Sequence, residues 1–203
     1  MESKHADIIT IFVGVILSIV ISVIWNVNQA QCSVHSSNIS AEQLKNLPES
    51  FYIENVPFYD YTMVNTTCMP ASLGMVMRFY DSKTTPDEVN EKFPELGWSL
   101  SNFKQYAKKE GFKVEDYESS IEDLKLKISK GRPVIVSQWS DLYHKWGMWG
   151  HVRVVVGYTD KYFITFDPIP SHGKNYNIAF SDFEKLWNRG PEGGCNRALL
   201  VYK

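Results

Sequence analysis

The sequence predicts an α+β domain, its helical first half packed on an antiparallel sheet from the second half, preceded by one transmembrane helix. Three observations carry this. Ile8 to Trp25 is an unbroken apolar run with only Thr10, Gly14, Ser18 and Ser22 as small or weakly polar members. From Cys68 to Ile128, apolar residues recur at helical spacing between capping residues. Beyond Pro133 the pattern changes to short β-branched runs separated by tight turns. Helices followed by hairpin-joined strands give an α+β arrangement rather than an alternating α/β one.

Composition narrows the classes. With 203 residues there is room for one domain of ordinary size and an appendage. A chain that is 44% hydrophobic and 22% charged is globular rather than disordered. The net charge of -2 gives no electrostatic reason to expect nucleic acid. Cys32, Cys68 and Cys195 are too few and too scattered for a disulfide scaffold or a zinc ribbon. A Cys32–Cys195 bridge would leave Cys68 free, and the sequence leaves that pairing open. No motif calls for a cofactor.

The appendage reads as a tail at residues 1–7, an anchor at 8–25 and a polar stalk at 26–50, ahead of a domain at 51–203. The 18 residues of the run rise ~1.5 Å each, about 27 Å in all, enough to cross a bilayer core. A cleaved signal peptide is the competing reading. Its apolar part would be unusually long, and no small-x-small cleavage site follows. Lys4 and His5 precede the run and no Lys or Arg follows until Lys45, so the domain is expected outside the cytoplasm.

Within the domain, Val56 to Tyr59 reads as an entering strand or extended segment. A helix is expected immediately after Cys68, running to about Tyr80, with Pro70 in its first turn, where a missing N–H costs nothing. Thr85 caps a second helix with Pro86 at its first position, running to about Phe93. Ser99 or Ser101 caps a third through Phe103, Tyr106 and Ala107, stopped by Gly111. Ser120 starts a fourth, with Ile121, Leu124 and Ile128 on one face and Gly131 as its stop. Pro133–Trp139, His151–Tyr158 and Lys161–Phe166 then read as strands. A short helix follows at 181–187 and a last strand at 197–202.

The chemistry starts at Cys68. A sulfur at a helix start sits at the positive end of the helix dipole, where a thiolate is favoured. Such a nucleophile needs a base, and the base needs an orienting group. His151 opens one strand right after Gly150, and Asp167 ends the next. A hairpin turning at Thr159-Asp160 brings those two ends together, so the three residues have the roles of a nucleophilic triad. Taken singly, each has a plainer reading: Cys68 as a small buried hydrophobe, His151 as a core histidine, Asp167 as a turn residue before Pro168. His144, His151 and His172 match no recurrent metal-ligand spacing, so no metal is expected. Trp139, Tyr143, Trp146 and Trp149 precede the base. They read equally as loop packing or as a substrate wall, in which Trp146, Trp149 and Gly150 would touch substrate.

Cys68-Met69-Pro70-Ala71-Ser72-Leu73, Gly150-His151-Val152-Arg153-Val154-Val155-Val156-Gly157-Tyr158 and Phe166-Asp167-Pro168 together resemble the double-glycine leader peptidase-like family. Its members are papain-like cysteine peptidases related to bacteriocin-processing domains. The resemblance runs from about Val56 to the C-terminus and implies a papain-like fold with Cys68, His151 and Asp167 as its triad. Members usually carry Cys-Gly-Pro where this chain has Cys68-Met69-Pro70, and a Gln oxyanion donor six residues before the cysteine, where this chain has Thr62. Asn65 is the nearest upstream amide, so Thr62 and Asn65 are the candidate oxyanion donors. The implied protein is a membrane-anchored cysteine peptidase acting on a peptide or protein substrate. The alternatives are a cell-wall peptide amidase on the same scaffold, and a surface binding module that has lost efficient hydrolysis.

Overall fold

A computed structural model describes residues 39–63, 67–80, 82–92, 99–140, 142, 150–188 and 196–203. These belong to one compact unit, Ser37–Lys203. The expected anchor at 8–25 lies outside the described residues. Among the described residues, no helix is long and apolar enough to cross a membrane.

Helix α1 (Ala41–Lys45) falls in what the sequence presents as the end of a stalk. Ser40 and Gln43 form a reciprocal capping box at its start, and none of its residues is buried. Strand β1 (Phe51–Tyr52) follows. Val56 to Tyr59, one candidate for an entering strand, carries no strand; the short pairing lies earlier, at β1.

Helix α2 (Cys68–Phe79) is the central helix, buried without a break from Pro70 to Met77. Helix α3 (Pro86–Glu91) has the expected Thr85 cap, strengthened by Glu88 reaching back to the Thr85 N–H. Ser99 caps α4 (Leu100–Lys109), and its side chain accepts from the Asn102 N–H. Strand β2 (Lys113–Glu118) comes next. Ser120 caps α5 (Ile121–Ser129) in the same way, through the Asp123 N–H.

The second half supplies β3 (Val134–Trp139), β4 (Gly150–Tyr158), β5 (Tyr162–Asp167), β6 (Gly173–Ala179), α6 (Phe180–Trp187) and β7 (Arg197–Tyr202). All pairings are antiparallel, in the order β2-β7-β3-β4-β5-β6. Strand β1 takes up Gly157 and Tyr158, the end of β4 that β3 leaves unpaired. The C-terminal strand therefore sits between β2 and β3, which explains why Ala198 to Val201 are all buried.

Strand β4 is buried from His151 to Tyr158, so helices and loops cover both its faces. Met69, Leu100 and Phe103 from α2 and α4 meet Ile135, Val152 and Leu199 from the sheet. Elsewhere Phe163 packs against Phe180 and Phe183 of α6, with ring centroids 5.0 and 4.6 Å away. The functional result is a rigid platform. One end of its central strand lies beside the start of its central helix.

Candidate active site

Cys68 is the first residue of α2. Thr67 before it is extended, with φ -112° and ψ 178°, and makes no side-chain cap. The first intrahelical donor shown is the Ala71 N–H, which bonds the Thr67 carbonyl. The N–H groups of Cys68 and Met69 precede it and point out of the helix start, as in every α-helix. The thiol is half-buried and free.

The strand register explains how the base and its orienting acid meet. Val154 pairs with Phe166, so the next pair outward sets Arg153 against Asp167. Side chains on one strand alternate in direction, so His151 shares a face with Arg153 and lies diagonally across from Asp167. His151 Nε2 donates to Asp167 Oδ1 at 2.7 Å, both side chains being almost wholly buried. That leaves Nδ1 for the sulfur, and the Cys68 thiol and the His151 ring are close enough to shift each other's titration.

Asp167 is held on both oxygens. Oδ1 also accepts from the Ile169 N–H at 2.9 Å. Oδ2 accepts from Arg153 Nε and, at 2.9 Å, from His172 Nδ1. His172 is in turn stacked on Tyr176 with ring centroids 4.2 Å apart. Arg153 is fully buried. Its remaining N–H groups donate to Gln138 Oε1 at 2.9 Å, to the Trp139 carbonyl at 3.3 Å and to the Ser140 carbonyl at 2.6 Å. Gln138, opposite His151 in the register, is itself anchored to the Phe183 carbonyl at 3.2 Å.

These contacts set the charges. Burial alone would push the Cys68 thiol up. The hydrogen bond and charge of His151, the Val152 N–H and the Tyr61 hydroxyl outweigh it and hold the thiol below its ordinary value. Burial would lower His151, but its bonds to Asp167 and Cys68 prevail and raise it. Asp167 is also opposed by burial, and His151, His172 and Arg153 hold it well below the usual carboxylate range. A thiol pulled down beside an imidazole pushed up favours a thiolate–imidazolium pair.

The structure treats the other expected site residues differently. The Thr62 hydroxyl donates to Asp60 Oδ1, the oxygen that also takes the N–H groups of Thr62 at 2.8 Å and Met63 at 3.1 Å. Its donor is engaged in its own turn. Gly150 opens β4 opposite Trp139 and is exposed beside His151. Asn65, Trp146 and Trp149 lie outside the described residues. Sequence reasoning missed Tyr61, Gln138, Arg153 and His172. For Arg153 a signal existed: a cation in an otherwise apolar strand has to be paired when buried.

The model of the Peptidase_C39 like family matches residues 53–191, more than half of the chain. No curated protein matches the sequence. Among solved structures, a protein from Bacillus anthracis described as a C39-like peptidase is similar at 19% identity and TM-score 0.60, covering 77% of this chain and 98% of its own. The peptidase domain of Streptococcus ComA, a bi-functional ABC transporter of a quorum sensing pathway, is similar at 21% identity and TM-score 0.54. It covers 73% of this chain and 98% of its own. A double glycine motif protease from an AMS/PCAT transporter, solved with the leader peptide, gives 18% identity and TM-score 0.54, covering 75% and 94%. At these identities the likeness shows a shared fold.

Proposed function

The chain belongs to the Peptidase_C39 like family of cysteine peptidases, and from that premise we propose that Cys68, His151 and Asp167 hydrolyse peptide bonds as a nucleophilic triad. The observation that carries this reading is the buried Asp167 carboxylate, held on both oxygens and bonded to His151, whose ring in turn lowers the Cys68 thiol.

The Cys68 thiolate attacks the scissile carbonyl, and the carbonyl electron pair moves to oxygen. His151, protonated at Nδ1, gives that proton to the leaving amine as the C–N bond breaks. A water then gives its proton back to His151 and attacks the thioester, releasing the acid and the thiolate. Asp167 keeps Nε2 protonated, so that Nδ1 faces the sulfur throughout. Arg153 and His172 keep Asp167 ionised and still. The substrate is a peptide or protein chain. Anchorage through residues 8–25, with the domain outside the cytoplasm, belongs to the same reading.

The test uses a fluorogenic peptide library. Cys68→Ala is expected to abolish hydrolysis. Asp167→Asn is expected to lower turnover by about 10²–10⁴-fold while leaving peptide affinity nearly unchanged. Hydrolysis that survives Cys68→Ala would overturn the triad. Wild-type protein that binds peptides tightly without ever forming a thioester would favour the binding-module reading.

A further inference from the structure

We infer that Tyr61, seven residues before the cysteine, is the side-chain oxyanion donor of this site, its phenol O–H acting beside the Cys68 backbone N–H. The inference rests on the triad reading above and adds to it a catalytic residue that no upstream amide explains.

Four observations converge on Tyr61. Its N–H donates to the Pro168 carbonyl at 3.1 Å, one residue past Asp167, which ties the backbone of this loop to the triad. Asp60 gathers the Thr62 and Met63 N–H groups and the Thr62 hydroxyl, closing a turn that commits the neighbouring Thr62 hydroxyl. The phenol of Tyr61 and the Cys68 sulfur are close enough to act on each other electrostatically, the phenol being raised and the thiol lowered. Tyr61 is 37% exposed, so a substrate at the surface can reach it.

The chemistry follows from where charge moves. In the resting site the negative charge is on sulfur, close to the phenol. As the C–S bond forms, the carbonyl π pair becomes a lone pair on oxygen, and the charge passes to an atom bonded to the carbon under attack. The Cys68 N–H and the Tyr61 O–H are then the donors beside it. When the C–N bond breaks, the pair returns to the carbonyl and the amine leaves with the proton from His151. Tyr61 loses no proton in the cycle. Burial, the adjacent thiolate and Asp167 push its hydroxyl above the ordinary phenol value, so it remains a donor and cannot serve as a base at neutral pH.

The test compares wild type, Tyr61→Phe and Tyr61→Gln with two probes. Iodoacetamide alkylation of Cys68 against pH reads the phenol–sulfur interaction. Inhibition by the aldehyde acetyl-Gly-glycinal, which adds to the thiolate and places an oxygen in the hole, reads the oxyanion role. Tyr61→Phe is expected to raise the alkylation midpoint and to weaken the aldehyde at least tenfold. Any hydrolysed peptide should lose about 10²-fold in kcat with KM little changed. Tyr61→Gln, which restores a donor without the phenol, should recover part of the aldehyde affinity. Equal midpoints and equal aldehyde inhibition in wild type and Tyr61→Phe would overturn the role of Tyr61 while leaving the triad standing. An aldehyde that never modifies wild-type Cys68, despite normal alkylation, would overturn the acyl-transfer reading and this role with it.

Discussion

Arg153 shows why a single buried charge matters more than its neighbours in a strand. Moving a guanidinium into a protein interior is unfavourable by several kcal/mol unless its donors are met. Here Asp167, Gln138 and the Trp139 and Ser140 carbonyls meet them. Replacing it with Met is expected to destabilise the fold by ~3–5 kcal/mol, because Asp167 would stay buried without its permanent cation and two carbonyls would lose their donors. Urea unfolding checks this; a loss below about 1 kcal/mol would mean that water replaces the guanidinium readily. The meeting of His151 with Asp167 near Cys68 was legible because a helix start and a hairpin fix where these residues lie. Tyr61 was not legible. Its place beside the site depends on a turn made by Asp60 and on a bond to the Pro168 carbonyl, neither of which has a sequence period.

The elements divide along the same line. Helices α3 to α5 were legible from caps and stops, since Thr85, Ser99 and Ser120 all accept the expected backbone N–H, and α2 from Pro70 and its apolar run. Strands β2 and β6 were not. Lys-Val-Glu-Asp-Tyr-Glu and Gly-Lys-Asn-Tyr-Asn-Ile-Ala are rich in charged or amide side chains because both lie at the sheet's edges, where one side meets water. The contact between α2 and α3 hangs on a glycine. A Cβ at Gly74 would come within 2.7 Å of Pro86 Cγ and 3.2 Å of Pro86 Cα. The second atom is backbone at the start of α3, so the clash cannot be relieved by rotating a side chain. Gly74→Ala is expected to lower stability by about 1–3 kcal/mol despite the better helix propensity of Ala. An unfolding midpoint at or above wild type would show that α3 shifts freely and that α2 does not depend on it.

At the scale of the whole molecule the opposing charges of the site make stability depend on pH in a directed way. Cys68 is pulled down and His151 is pushed up, but moving one proton from thiol to imidazole leaves the number of bound protons unchanged. At neutral pH, therefore, this pair adds little to the slope of stability with pH. The carboxylates behave differently. Asp167 is depressed by His151, His172 and Arg153 against its burial. Asp116 on β2 is depressed first by its hydrogen bonds from Arg197 of β7, at 2.7 and 2.8 Å, and then by Lys104 of α4 at 2.9 Å. A group with a depressed folded pKa contributes stability that is fully present above its unfolded value of ~3.9. Below that value the unfolded chain binds the proton first, and the contribution is lost as pH falls through the folded value. The contribution of these carboxylates is therefore expected to hold down to about pH 4 and then to fall steadily. The Asp116 clamp joins β2, β7 and α4 far from the catalytic chemistry, so it can be removed without touching Cys68. Asp116→Asn should lower stability at pH 7 and make the acid limb shallower, because one titrating carboxylate is gone while Asp167 remains. Urea unfolding at intervals from pH 2.5 to 7, with the denaturant slope constant, measures both effects. An Asn variant whose acid limb parallels wild type would mean that Asp116 is no more acidic in the fold than in the unfolded chain, and that the clamp holds the sheet edge by packing alone.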